Sequence, residues 1–314
     1  MDKELDAFNK LREKLIKIDS GSSDSDTEFP LKVNPEISKK HHYIPKFFID
    51  GFINDNNEVW CYDKVNDRIQ KDPKGSKGVF FEIGRNNVNV NGTLYSIFED
   101  AYKIPDDIFA IPIKLMRRDN VSEDLYLELV QYFNLFLSNL YCRSPHTDKF
   151  IDTLYSLLPT QDRPFNGIAP DSMAKQQLRL NTEPAIIEAM SKVAYQQSYY
   201  TIGYPQTSFC LGDMPFLLRS PLKQLNDLAT LPLLAPISNQ QLFVRNISKN
   251  QIWDGMTASI INALIIHQSS KFIICSDKKL LESSITQYHN IKQNNLLDHC
   301  MIRLFGDDLV KHSA

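Results

Sequence analysis

The chain has 314 residues, 42% apolar and 23% charged, with a net charge of −3 at pH 7. A chain of this length can bury about 75% of its unfolded surface, so it needs neither disulfides nor a metal to hold its core. The weak negative balance excludes a chain-wide field for a nucleic-acid backbone and leaves only local basic patches for that role.

In chain order, residues 2–18 carry Leu5, Phe8, Leu11, Leu15 and Ile18 at helical spacing, a narrow stripe that predicts a helix laid on the body or on a partner. The run SGSSDSDTEFP (20–30) reads as a linker. The expected division is therefore 1–31 as amphipathic helix and mobile linker, and 32–314 as one globular domain. In KKHHYIPKFFIDGF (39–52), Pro45 biases Ile44 to extended backbone and can open a short helix, which makes a strand-to-helix corner. NEVWCYDKVNDRIQKD (57–72) alternates and pauses, as a hairpin does. FEDAY (98–102) places Glu99 and Asp100 where acids suit a helix start.

EDLYLELVQYFNLFLSNLYC (123–142) has a wide apolar face, which predicts a central buried helix, and RSP (143–145) ends it. TEPAIIEAMSKVAYQQS (182–198) predicts a helix capped by Thr182 with Pro184 in its first turn. From 198 to 245 short apolar segments broken by Gly and Pro predict strands. DGMTASIINALIIHQ (254–268) is helical and KFIICS (271–276) a buried strand. The sum is α+β: a helical middle, a β-rich later third and an early β-hairpin.

The cysteines Cys61, Cys142, Cys210, Cys275 and Cys300 contain no C-x-x-C pair. The charged start MDKELDAFNKLREK does not read as a signal peptide, so a reducing, cytoplasmic setting is expected. No apolar run reaches the roughly 20 residues of a membrane span, and no membrane association is expected. Nucleotide-loop, nucleophile-elbow and H-E-x-x-H motifs are absent. His41 and His42 point to opposite sides of an extended chain, and the histidines of HNIKQNNLLDHC (289–300) lie far apart, so no metal site is predicted and no cofactor is assigned. RIQKDPKGSKG (68–78) is basic, but a solvated hairpin edge explains it.

HHYIPKFFIDGF (41–52) resembles the opening signature H-H-Y-[VI]-P-x-x-[FL]-L-x-x-F of a widespread, mostly bacterial domain-of-unknown-function family. RSP (143–145), LGDMPFLL (211–218), LLAPIS (233–238) and IINALIIHQSSKFIICS (260–276) resemble its later motifs, in order. The resemblance implies a site built from His42, Tyr43 and Pro45, then Arg143, then Asp213 and Pro215, then Asn262; it implies no activity. Gly212 stands where the family has serine, Met214 where it has asparagine, and Lys46 where glutamine is common.

The resulting expectation is a hydrolase-like enzyme acting on a phosphodiester or nucleotide. His42 would be general base or acid, Asp213 would orient it within hydrogen-bond reach, and Arg143 would hold the anionic group, while His41, Tyr43 and Asn262 contact substrate. The alternatives are a non-catalytic module for an anionic small molecule or nucleic acid, and a structural protein whose partner docks on residues 1–18. Each residue also has a bracing reading: turn cap for Asp213, helix C-cap for Arg143, helix-to-strand tie for Asn262.

Overall fold

The computed structural model describes residues 2–19, 39–90, 93–118, 121–167, 171–193, 198–200, 208–220, 227–247 and 254–306. The linker expected over 20–31 lies outside them.

The first helix, α1 (Lys3–Asp19), lies on the body. Phe8 is buried against Tyr132, with ring centroids 5.5 Å apart, and Arg12 pairs with Glu128 at 3.6 Å. The corner follows as β1 (Lys40–His42) and α2 (Lys46–Ile49). The expected hairpin is β2 (Trp60–Asp63) and β3 (Arg68–Ile69), and β4 (Phe81–Ile83) pairs antiparallel with β1. A small ribbon, β5 (Val88–Val90) and β6 (Thr93–Tyr95), leads into the helical middle.

That middle is α3 (Ile97–Met116), α4 (Glu123–Arg143), α5 (Asp148–Leu157) and α6 (Asp171–Val193). α4 is the central helix: Leu129, Phe133, Phe136, Leu137 and Leu140 are all buried. α6 begins well before the expected 182. Thr182 is therefore mid-helix and no cap; its hydroxyl donates to the Leu178 carbonyl at 2.8 Å. Pro184 lies inside the helix rather than in its first turn. The early turns escaped notice because they carry polar residues on the inward side, not an apolar stripe.

The later third holds β7 (Ser198–Tyr200), β8 (Leu211–Gly212), β9 (Leu217–Leu218), the single-turn α7 (Asp227–Thr230), β10 (Leu233–Pro236) and β11 (Leu242–Arg245). Next come α8 (Gly255–Gln268), capped by the Asp254 carboxylate, and β12 (Phe272–Cys275). Two further helices, α9 (Lys278–Gln293) and α10 (Leu297–Phe305), were not foreseen. One four-stranded antiparallel sheet runs β7-β11-β10-β9 and the other β3-β2-β12-β8. The second sheet joins the early hairpin to the last strand, with Trp60 opposite Cys275. One apolar core gathers on α2, α3 and α4, the other on α8, β12 and α9. Among the described residues no helix is long and apolar enough to cross a membrane.

Candidate functional site

The corner that ends α4 ties together three of the sequence motifs. Arg143 is its last residue, and Ser144 turns extended ahead of Pro145. One guanidinium nitrogen of Arg143 donates to the His42 carbonyl at 2.8 Å, and another bonds the Asp106 carboxylate. Ser144 Oγ donates to the Asp213 carbonyl at 3.3 Å. His146 Nε2 lies 3.4 Å from Asp213 Oδ1. Four consecutive residues thus hold both the His-His-Tyr corner and the Gly-Asp-Met-Pro strand end. Two polar clusters result, one on each side.

The Asp213 side is closed. Its Oδ1 accepts the N–H of Ser270 at 2.8 Å, and Oδ2 accepts those of Lys271 at 2.7 Å and Phe272 at 3.1 Å. The carboxylate therefore caps the turn from α8 into β12. Lys64 Nζ donates to the carbonyls of His267 at 2.8 Å and Ser269 at 2.7 Å, ending α8 from the other side. Asn262, wholly buried, accepts the Cys210 N–H and donates to the Ser208 carbonyl, each at 2.9 Å. That is a helix-to-strand tie. Gly212 is needed for close approach, since a Cβ there would lie 2.0 Å from Ser269 Oγ.

The imidazole at Asp213 is His146, which the sequence reading passed over; no hydrogen bond joins His42 to Asp213. Ser270 Oγ stands 3.0 Å from His146 Nε2, so a serine, a histidine and an aspartate meet here. A relay needs the hydroxyl and the carboxylate on different ring nitrogens. Here both lie nearest Nε2, so the trio does not form one.

The Arg143 side is open. Three helices each turn an i, i+4 polar pair inward: Tyr102 and Asp106 from α3, Asn139 and Arg143 from α4, Arg179 and Glu183 from α6. The Arg143 guanidinium lies 4.8 Å from the Tyr102 ring centre. Asn139 Nδ2 donates to Glu183 at 3.1 Å. Arg179 and Arg85 share Asp148, and Arg85 also bonds Glu82 at 2.7 Å. His41 is buried and accepts the Asn86 N–H at 2.7 Å on Nδ1, while the Asn86 amide donates to Glu99 at 2.7 Å. His41 thus braces this wall.

Six buried polar atoms on these helices and at the adjoining His42 corner have no hydrogen-bond partner: His42 Nε2, Tyr102 Oη, Asn139 Oδ1, Arg143 Nε, Gln176 Oε1 and Arg179 Nε. Buried polar atoms ordinarily find one, so their concentration singles this region out as the candidate site.

Burial pushes the carboxyls of Asp106 and Glu183 above their usual range, against the opposing pull of Arg143. His42 is pushed down to about 4, first by burial and then by the charges of Lys46 and Arg143, so it is neutral at pH 7. Tyr43 is buried against Phe80, and burial followed by the Asp213 charge raises its hydroxyl. An apolar cavity of about 150 Å³, lined by Val88, Tyr95, Ile97, Phe98 and Met173, sits at the start of α3 and α6. Among the described residues no group of three or more His, Cys, Asp or Glu is placed to hold a metal.

Of the expected residues, Arg143, His42 and His41 thus border the open cluster, Tyr43 lies buried beside Phe80, and Asp213 and Asn262 belong to the closed side. The reading missed Tyr102, Asp106, Asn139, Arg179 and Glu183. Their signal was the i, i+4 spacing of polar residues in otherwise buried helices.

The chain belongs to the family described as protein of unknown function (DUF4238), whose model matches residues 40–279. No curated protein and no solved structure matches it.

Proposed function

We propose that the chain is a hydrolase-like enzyme that takes an anionic small molecule, a phosphodiester or nucleotide, into the cluster between α3, α4, α6 and the β1 corner. The observation that carries this reading is the set of six unpartnered buried polar atoms beside Arg143 and Arg179. The two guanidiniums would hold the anionic group, Tyr102 and Asn139 would orient it, and His42, neutral, would exchange a hydrogen bond with it. Glu183, with its raised pKa, is suited to give a proton to the leaving oxygen. Asp213 would be a positioning residue that fixes His146 and the α8–β12 turn.

The test titrates inorganic phosphate into the full chain by calorimetry and assays hydrolysis of bis(4-nitrophenyl) phosphate. Phosphate should bind and compete with the ester. Glu183→Gln should keep phosphate binding and lose turnover by about 10²-fold or more, the usual worth of a positioned acid. No phosphate binding at millimolar concentration would remove the reading.

A second reading, a non-catalytic module for an anionic ligand or nucleic acid, is favoured by one observation. His42 at about 4, with no carboxylate bonded to it, is a weak base at neutral pH. Phosphate binding without turnover, unchanged by Glu183→Gln, would select it.

A further inference from the structure

We infer that Cys210 and Cys275 are a dithiol pair that closes to a cross-strand disulfide when a peroxide reaches it. β8 and β12 pair antiparallel with Gly212 opposite Ile273 and Leu211 opposite Ile274. One step further along the same register sets Cys210 opposite Cys275. The Cys210 N–H is taken by Asn262 rather than by β12, so this is a non-hydrogen-bonded pair. Such pairs bring Cα atoms to about 4.5 Å, within the roughly 4.4–6.8 Å that a disulfide spans. Both side chains point into the core shared by α8 and α9, where the Cys210 thiol also lies 4.0 Å from Ser284 Oγ.

The two thiols influence each other unequally. The contact between them is the largest influence on each; it lowers the Cys275 thiol and raises the Cys210 thiol. One of the two thiolates attacks a peroxide oxygen, the O–O bond breaks, and hydroxide leaves as water after taking a proton, giving a sulfenic acid. The other sulfur then attacks the sulfenic sulfur, the S–O bond breaks, and a second water leaves. With hydrogen peroxide the sum is two thiols and one peroxide to one disulfide and two waters. Both residues are fully buried. Only a small oxidant fits the role, and the first step is slow compared with ring closure, which needs no further access. The link would pin the strand that leads into Gly212 and Asp213.

The remaining cysteines serve as internal controls, since Cys61, Cys142 and Cys300 are also buried and free. The experiment treats the folded full chain with hydrogen peroxide, quenches it, then denatures it in iodoacetamide and maps the peptides. The expected result is a Cys210–Cys275 linked peptide, an intact mass lower by two hydrogen atoms, reversal by dithiothreitol, and full alkylation of the other three cysteines. Cys275→Ser should abolish the link and leave Cys210 alkylated; the wild-type map decides the matter even where that variant folds poorly. Five alkylated cysteines after peroxide, a link to a different cysteine, or oxidation only under denaturing conditions would each overturn the inference.

Discussion

Two polar clusters meet at the end of α4, and they differ in what they leave undone. Around Asp213 and Asn262 each buried side chain has its partners: three backbone N–H groups on one carboxylate, and a two-way amide tie on the other. Around Arg143, six buried polar atoms have none. A closed cluster fixes backbone, because every bond it makes would have to be broken to move the turn. An open cluster leaves polar groups without a partner inside the protein. Chemical type does not separate the two, since both contain acids, amides and histidines. Hydrogen-bond completeness does.

The strongest break of this comparison is at Asp213. Asp213→Ala should cost about 4 kcal/mol or more in urea unfolding, because three N–H groups lose a charged acceptor at once. A loss below about 1 kcal/mol would mean that the closed cluster is not a brace. Next in size, Asn262→Leu should cost about 2–3 kcal/mol by leaving the Cys210 N–H and the Ser208 carbonyl without partners. Calorimetric melting reads this directly, and an unchanged transition would contradict the tie.

Gly212→Ser should cost about 1–3 kcal/mol through overpacking against Ser269 Oγ. Adding Ser269→Ala should recover part of the loss, since it removes the atom in the way. A serine tolerated at position 212 without that second change would show that the strand has room to shift.

A further effect concerns pH. His42 binds its proton at about 4 in the folded chain and near 6.5 when unfolded. The unfolded chain therefore takes up the proton first, and stability falls as pH drops from about 6.5 towards 4. His42→Gln should flatten that part of the profile. Glu183 acts in the opposite sense: its folded pKa is raised, so its contribution is present at low pH and lost as pH rises through the folded value. Glu183→Gln should remove a downward slope on that side. A profile in which the two variants match wild type throughout would show that neither group is held out of water as described.

Much of the fold was legible where apolar periodicity is strong. α4, α8, β12 and the β2–β3 hairpin stand where their patterns predict. α3 runs through Pro105 and Pro112, and α6 starts eleven positions before Thr182, because contacts with neighbouring elements override local signals in both. Of the candidate site, Arg143 and the His42 corner were legible because they lie in motifs that resemble those of the family. Asp106, Arg179 and Glu183 were not, because a polar residue in a helix looks like a solvated one until the facing helix is known. Asp213 stood out as a candidate through its motif, but three N–H groups from residues 270–272 take up its oxygens, and nothing near it in sequence discloses them.

Tyr102→Phe tests the central distinction most directly. The Tyr102 hydroxyl is buried, has no partner, and lies in the open cluster. Removing it deletes no hydrogen bond within the protein. The account predicts an unfolding free energy equal to or above wild type, together with phosphate binding weakened about tenfold, or about 1.4 kcal/mol. A loss of more than about 1 kcal/mol in stability with phosphate binding unchanged would contradict it, and would make the Arg143 cluster one more brace.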